Sequence, residues 1–309
     1  MTEPGILDRC GLSESATPRW TLAEDVEGYA RHGFRAIGVW LHKLERPRFD
    51  GFFIPEATIP SDVVSSAADA IRSSGLEVSH LVLTGFYTEP ELPDRIAHTL
   101  HATDVAASLG AGCVVVAPGR RNGRSYGETR DLAARALTEV FERATTRGVR
   151  LAVEPIISWQ SDYMNTLGEA LELVELVDHP SLGVFPDTFH LWRTGTLLDD
   201  IERAGARIFG VHLNDAVDGD DHFNRLPGEG TIPLVDVVRA IEATGYRGTY
   251  DNEFMFDPAL VSADPGAFDP DVVVGRCARA MAAVLGEALS GSTPEPLAPA
   301  RLDLRRLDH

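Results

Sequence analysis

The sequence predicts an α/β protein, a single (β/α)8 TIM barrel. Three observations carry this expectation. Short apolar, β-rich runs alternate eight times with longer segments of helical period. Such alternation argues for a parallel sheet covered by helices. Eight units within about 285 residues match the size of a closed barrel. Finally, the first predicted strand runs into GLSESATPRW, and neither GxGxxG nor GxxxxGK[ST] occurs in the chain. An open doubly wound sheet usually carries such a glycine fingerprint.

Each unit has its own justification. The first pairs a strand near 6–12 with a helix near 21–32, where Thr21 and Glu24 in TLAED form a capping-box pattern. The second pairs 36–41 with 60–74, and the third pairs 77–83 with 91–109. In the fourth, the apolar run at 113–118 leads to a helix over 126–147. There Leu132, Ala136, Val140 and Ala144 recur every four residues as an inward stripe. The fifth and sixth pair 149–154 with 166–178 and 182–187 with 196–205. The seventh joins 208–213 to 234–244 through a long loop, 214–233, of a length that usually has a function. The eighth pairs 248–253 with 269–289. Gly33, Gly75, Gly110, Gly148 and Gly245 each stand between a helical pattern and the next strand, as helix C-caps do. The barrel is expected to fill residues 1–290. Residues 291–309, Pro-rich and then charged, read as a C-terminal extension. Leu302, Leu304 and Leu307 give it an apolar spacing suited to docking on a neighbouring subunit.

Bulk properties narrow the partners. A hydrophobic fraction of 44% supports a sizeable core. The net charge of -19, from 47 acidic and 28 basic side chains, opposes binding to phosphate backbones and anionic membranes. No run of about 18 apolar residues is present, so no membrane helix is expected. The N-terminal MTEPGILDRCGLSES lacks a basic region followed by an apolar stretch, so no signal peptide is expected. Cys10, Cys113 and Cys277 are isolated, and Cys113 lies in an apolar run. That usage suits a reducing compartment, and a cytoplasmic location is the expectation.

Four residues carry the chemistry. Glu154, Asp187, His212 and Glu253 stand at the ends of four consecutive predicted strands, in LAVEP, GVFPDTFH, GVHLND and TYDNEF. In a (β/α)8 barrel, such positions converge on one mouth. Three carboxylates and one imidazole form a mostly oxygen donor set, suited to Mn²⁺, Mg²⁺ or Co²⁺ rather than a thiolate-selecting metal. A divalent metal, foremost Mn²⁺, is therefore the expected cofactor. A small polyhydroxylated carbonyl compound is the expected substrate.

VEP at 153–155, DTFH at 187–190, HLND at 212–215, LPGEG at 226–230 and NEF at 252–254 resemble the sugar phosphate isomerase/epimerase group of xylose isomerase-like barrels. The resemblance spans roughly residues 5–285. It includes keto-inositol isomerases, ketose 3-epimerases and C-glycoside deglycosidase alpha subunits. It implies that Glu154, Asp187, His212 and Glu253 are metal ligands, and that Glu154 and Glu253 move a proton on and off a carbon beside a carbonyl. Epimerisation, isomerisation and loss of a β-hydroxyl share that first step. The expected activity is thus isomerase or epimerase in carbohydrate metabolism. A lyase acting on a 3-keto C-glycoside, a dehydroshikimate or a keto-inositol is the alternative. A phosphodiester-cleaving repair endonuclease is a remote one, opposed by the negative charge. The deglycosidase reading brings a small partner subunit, and barrel helices could also pair two copies of the chain.

His190 matches the group's substrate-contacting histidine. His222 and Arg225 are the polar groups of the long loop best placed to reach substrate, and Arg225 precedes LPGEG as a basic residue does in keto-inositol isomerases. His80 and His42 lie in or just after strands and could face the mouth; Lys43, beside His42, is a weaker candidate. Trp159 and Trp192 each follow a ligand strand by five residues and could wall the pocket. Two departures stand out. Gln160 occupies the place of a second substrate-binding glutamate of the ketose 3-epimerases, and Asp218 that of an arginine. An amide can bond hydroxyls without carrying charge, so these departures disfavour a free-ketose 3-epimerase.

Overall fold

The computed structural model describes residues 5–45, 58–255 and 269–290. The strands are β1 (Cys10–Ser13), β2 (Ala36–Trp40), β3 (Glu77–Gly85), β4 (Val114–Ala117), β5 (Leu151–Val153), β6 (Leu182–Val184) and β7 (Val211–His212). A hairpin of β8 (Asp215–Val217) and β9 (Asp220–Arg225) follows, then β10 (Tyr250–Asn252). Strands β1 to β6 pair in sequence, all parallel, while β10 lies between β1 and β7. The two ends of this eight-stranded sheet meet. Parallel bridges join Val184 to Ile208 and Asp187 to His212. The amides of Phe209 and His212 donate to the carbonyls of Val184 and Pro186 at 3.1 and 3.0 Å. The sheet is therefore the closed parallel barrel that the alternation predicts.

The helices are α1 (Leu22–Arg31), α2 (Leu41–Glu45), α3 (Ser61–Ser74), α4 (Leu92–Leu109), α5 (Tyr126–Arg147), α6 (Leu167–Val177), α7 (Thr188–Leu191), α8 (Leu197–Ala204), α9 (Leu234–Ala243) and α10 (Pro270–Leu289). The capping box on α1 is present, with the Thr21 amide donating to Glu24 at 2.7 Å. Equivalent boxes open α5 at Ser125–Glu128 and α6 at Thr166–Glu169. Gly110 and Gly148 end α4 and α5 in the left-handed region, at φ 74° and 68°. Along α5, Ala136, Val140 and Ala144 are buried with Ala133, Leu137 and Phe141, while Leu132 is only half-buried.

Two expectations need correction, and α7 adds an element that neither covered. The strand expected over 6–12 starts at Cys10, because Ile6–Arg9 is a 3₁₀ helix whose Ile6 and Leu7 pack against the core. The region after Asp187 turns into the short helix α7 before α8 begins. The loop expected over 214–233 contains the β8–β9 hairpin, turned at Gly219 with φ 83°. Leu302, Leu304 and Leu307, with the whole proposed extension 291–309, lie outside the described residues.

Two layers of apolar packing follow from the two-residue period of the strands. The larger cluster fills the space between strands and helices. The smaller one, Trp40, Val82, Cys113, Val115, Ala152 and Phe185, lies within the barrel. Glu154 and Asp187 are two residues beyond Ala152 and Phe185, so they continue the inward face toward the C-terminal mouth.

Candidate metal centre

Four strand ends bring the quartet together. Ligand atoms of Glu154, Asp187, His212 and Glu253 all lie within 4.8 Å of one another, and all four residues are buried. His212 Nδ1 is 2.8 Å from Glu154 Oε1, 3.5 Å from Glu253 Oε2 and 4.0 Å from Asp187 Oδ2. The imidazole thus presents one nitrogen to three carboxylates.

Local structure fixes each arm. Asp187 is the N-cap of α7, and its Oδ1 accepts the Phe189 amide at 2.7 Å. Asn214 Nδ2 donates to both Asp187 oxygens, at 3.2 and 3.1 Å. Asn252 holds Asn214 in turn, donating to its Oδ1 at 2.9 Å. Asn224, on β9, ties the hairpin to the strand end that carries Glu253. Its Nδ2 donates to the Glu253 carbonyl at 2.6 Å, and its Oδ1 accepts the Met255 amide at 2.9 Å. Asp215 organises the LPGEG turn: its Oδ1 accepts the Ala216 and Ile232 amides, and its Oδ2 accepts those of Gly228 and Gly230. A Cβ on Gly230 would stand 2.3 Å from the Ala216 carbonyl oxygen, so this close backbone approach requires glycine.

The electrostatics of the quartet suit a cation. Burial raises the Glu154 carboxyl to about 8. Burial, and then the neighbouring Glu154, pushes Asp187 and Glu253 well above the usual carboxylate range. Burial lowers His212 to about 3. Three mutually repelling carboxylates around a neutral imidazole favour proton uptake when alone. A divalent cation reverses this, since it stabilises ionised carboxylates and binds a neutral imidazole. The donor set fits such an ion.

The remaining candidates fall into three groups. His190 lies near the quartet, with Nε2 3.9 Å from Asp187 Oδ2, and its Nδ1 is buried with no hydrogen-bond partner. Burial and the nearby His212 lower it to about 3. Trp159 and His222 meet edge to face at 4.9 Å, and Trp159 is 47% exposed. Gln160, which follows Trp159, is half-buried, and its carbonyl accepts Arg120 Nε at 3.1 Å. Arg225 is half-buried at the end of β9 and donates to the Asn224 carbonyl at 3.3 Å.

His80, His42 and Lys43 are fully covered. His80 is buried beside His212, with the two Nε2 atoms 3.1 Å apart. His42 is buried edge-on to Trp40, their ring centroids 5.0 Å apart, and burial followed by the Lys43 charge lowers it to about 4. Lys43 belongs to a buried ion cluster, with Nζ 2.5 Å from Asp25 Oδ2 and 3.8 Å from Glu14 Oε1. Trp192 packs in the core, with Arg193 4.3 Å from its ring centre. Arg193 also pairs at 3.0 Å with Asp218.

Sequence reasoning did not single out Asn214, Asp215, Asn224, Ser79 or Asp251. Asn214 and Asp215 belong to the HLND motif, so their place in it was the available signal. Asp251 stands two residues before Glu253 and therefore shares its inward face.

Comparison with known proteins agrees with this architecture. An inosose isomerase from Halalkalibacterium halodurans is 34% identical over 128 residues, covering 40% of this chain and 45% of its own. A 3-dehydroshikimate dehydratase from Pseudomonas aeruginosa is 29% identical over 250 residues, covering 77% of this chain and 36% of its own. The chain thus spans less than half the length of these relatives. Among solved structures, the IOLI protein, crystallised with a binding zinc atom, superposes with a TM-score of 0.74 at 20% identity, covering 92% of this chain and 100% of its own. Residues 26–267 match the profile of one family. The chain belongs to the xylose isomerase-like TIM barrel family.

Proposed function

We propose that this chain is a divalent-metal-dependent isomerase or epimerase acting on a keto-cyclitol or ketose through transfer of a proton beside a carbonyl. The observation that carries this reading is the convergence of Glu154, Asp187, His212 and Glu253 within 4.8 Å. The oxygen-rich donor set favours Mn²⁺, with Mg²⁺ or Co²⁺ as substitutes. When bound, such an ion supplies a Lewis acid that polarises a carbonyl and eases loss of the neighbouring proton.

The chain's own residues do the rest. Glu154 and Glu253 are the carboxylates that take a proton from carbon and return it. Return to the same carbon from the opposite face inverts it. Return to the adjacent carbon moves the carbonyl. Asp187 and His212 complete the grip on the ion. His190, with its unpartnered Nδ1 beside the quartet, binds a substrate oxygen. His222, Arg225, Gln160 and Trp159 bind or wall the substrate at the rim, and the amide of Gln160 suits an uncharged hydroxyl. The buried placements of His80 and His42 favour support of the site over direct substrate contact.

The decisive experiment follows solvent deuterium into keto-inositols and free ketoses with Mn²⁺ present. Glu154→Gln and Glu253→Gln should each abolish exchange. Intact exchange in both variants sinks the mechanism. A lyase reading is supported by the dehydratase match, which covers 77% of this chain. It shares the proton removal but expels a leaving group from the next carbon. Release of water or an aromatic aglycone, without a rearranged sugar, would select it over isomerisation.

A further inference from the structure

Behind the quartet lies a second polar set that neither the proton transfer nor the metal grip uses. His80, Asp251 and Ser79 occupy the barrel interior where two strands carry only glycine. A Cβ on Gly38 of β2 would stand 2.5 Å from His80 Cε1, and one on Gly11 of β1 would stand 2.3 Å from Asp251 Oδ2. These two glycines make the space that holds the imidazole and the carboxylate. A register shift between β2 and β3 pairs Ile37 with Val78 and Gly38 with His80, leaving Ser79 as the extra residue of a bulge. A bulge re-aims side chains. Here Ser79 Oγ comes to 3.0 Å from His80 Nδ1 and 2.9 Å from Asp251 Oδ2.

We propose that His80, anchored by Ser79 and Asp251, is a positioning residue that holds His212 in the tautomer whose bare Nδ1 faces Glu154, Asp187 and Glu253. The inference rests on the metal-centre reading above. Its logic is the direction of a hydrogen-bonded chain. Only one proton fits between His212 Nε2 and His80 Nε2 at 3.1 Å. Ser79 Oγ has one proton and two oxygen partners, the Ile37 carbonyl at 3.1 Å, which only accepts, and Asp251 Oδ2 at 2.9 Å. The proton goes to an oxygen, so the Ser79 oxygen accepts from His80 Nδ1–H. His80 Nε2 is then bare and accepts from His212 Nε2–H. That leaves His212 Nδ1 as a lone pair, 2.8 Å from Glu154 Oε1 and turned to the other two carboxylates. In the reversed chain, His212 Nδ1 carries the proton and points it at Glu154, where it blocks an ion. Phe185 braces both rings, with centroids 4.9 Å from His80 and 4.6 Å from His212. Outer partners of this kind typically raise metal affinity by about 10- to 100-fold.

The test is Mn²⁺ titration of the metal-free full chain by calorimetry, with ¹⁵N shifts of the His212 ring measured in metal-free and Zn²⁺-loaded protein. His80→Phe keeps a ring but loses the acceptor, and should weaken Mn²⁺ binding about 10- to 100-fold. His80→Gln, which can still accept, should recover part of that loss. Ser79→Ala removes one hydroxyl and should shift metal-free His212 toward the Nδ1-protonated form; it carries the test if His80→Phe fails to fold. Unchanged affinity in folded His80→Phe, or an unchanged His212 tautomer in Ser79→Ala, overturns the proposal while the metal reading stands. Two Mn²⁺ per chain also overturns it, because an ion rather than a proton would then join the two rings. No Mn²⁺ binding by the unaltered chain overturns the metal reading and this proposal together.

Discussion

Replacing Asp215 with Asn should loosen the turn that follows the hairpin far more than one lost charge suggests. The Asp215 carboxylate is buried and accepts four backbone amides: Ala216 at 2.8 Å, Gly228 at 2.9 Å, and Gly230 and Ile232 at 3.0 Å each. An Asn side chain has one oxygen, so at most one of these pairs survives. The other pair of donors would face an NH₂ group that also donates. Two bonds to a charged acceptor are worth about 1.5–3 kcal/mol each, which gives a loss of roughly 3–6 kcal/mol. The assay is amide hydrogen exchange at Ala216, Gly228, Gly230 and Ile232, read beside urea denaturation. Exchange at the affected pair should speed up by at least about 100-fold, since each 1.4 kcal/mol is a factor of ten. A stability loss below about 1 kcal/mol, with all four amides exchanging as before, would show that the carboxylate does not hold the turn.

Three further outcomes follow. Lys43→Met should destabilise the chain by about 3–5 kcal/mol, because it leaves Glu14 and Asp25 buried without their cation; a denaturation midpoint near that of the unaltered protein would contradict this. Gly38→Ala should cost about 1–3 kcal/mol in thermal unfolding by forcing a Cβ against the His80 ring, and a neutral substitution would mean that the ring has room to move. Metal-free protein should lose stability on both sides of its optimum. Glu154, raised from 4.5 to about 8, keeps in the folded state a proton that the unfolded chain releases. Its contribution is therefore full below 4.5 and lost as pH rises toward about 8. His190 and His212, lowered from 6.5 to about 3, act oppositely: their contribution is present above 6.5 and lost as pH falls toward about 3. Thermal scans with Mn²⁺ and with chelator should show a gap that widens from about pH 5 to pH 8, and a narrowing gap would count against the quartet as the ion's site.

Much of this protein was readable before its structure, for identifiable reasons. The strands are short, apolar and buried on both sides, so β4 and β5 stand out as continuous runs such as CVVVA and LAV. Helices announce their ends through local chemistry, as Thr21 and Gly148 do. Strand-end carboxylates converge because the barrel makes them converge. What the chain concealed is mostly long-range. Ile6 and Leu7 look like strand residues, yet they pack sideways as a 3₁₀ turn. Asp215 resembles a solvated loop residue until the amides of Gly228, Gly230 and Ile232 arrive on it beside that of its neighbour Ala216. Lys43 sits beside a candidate histidine in sequence, but its partners Glu14 and Asp25 come from the first unit of the barrel. His80 reads as a mouth residue until the empty space above Gly38 shows where its ring lies.

Barrel closure has a mechanical consequence. Strand β7 is only two residues long, and β6 meets it through isolated bridges rather than a continuous ladder. One of those bridges joins Asp187 to His212, two members of the quartet. This seam, closed by two isolated bridges, is thus one that a bound ion would rivet. With an ion held there, grip on it and integrity of the hoop would become a single cooperative event. Escape of the ion should be the step that lets the staves part, so the lifetime of the native state against unfolding would be set by how slowly that rivet leaves.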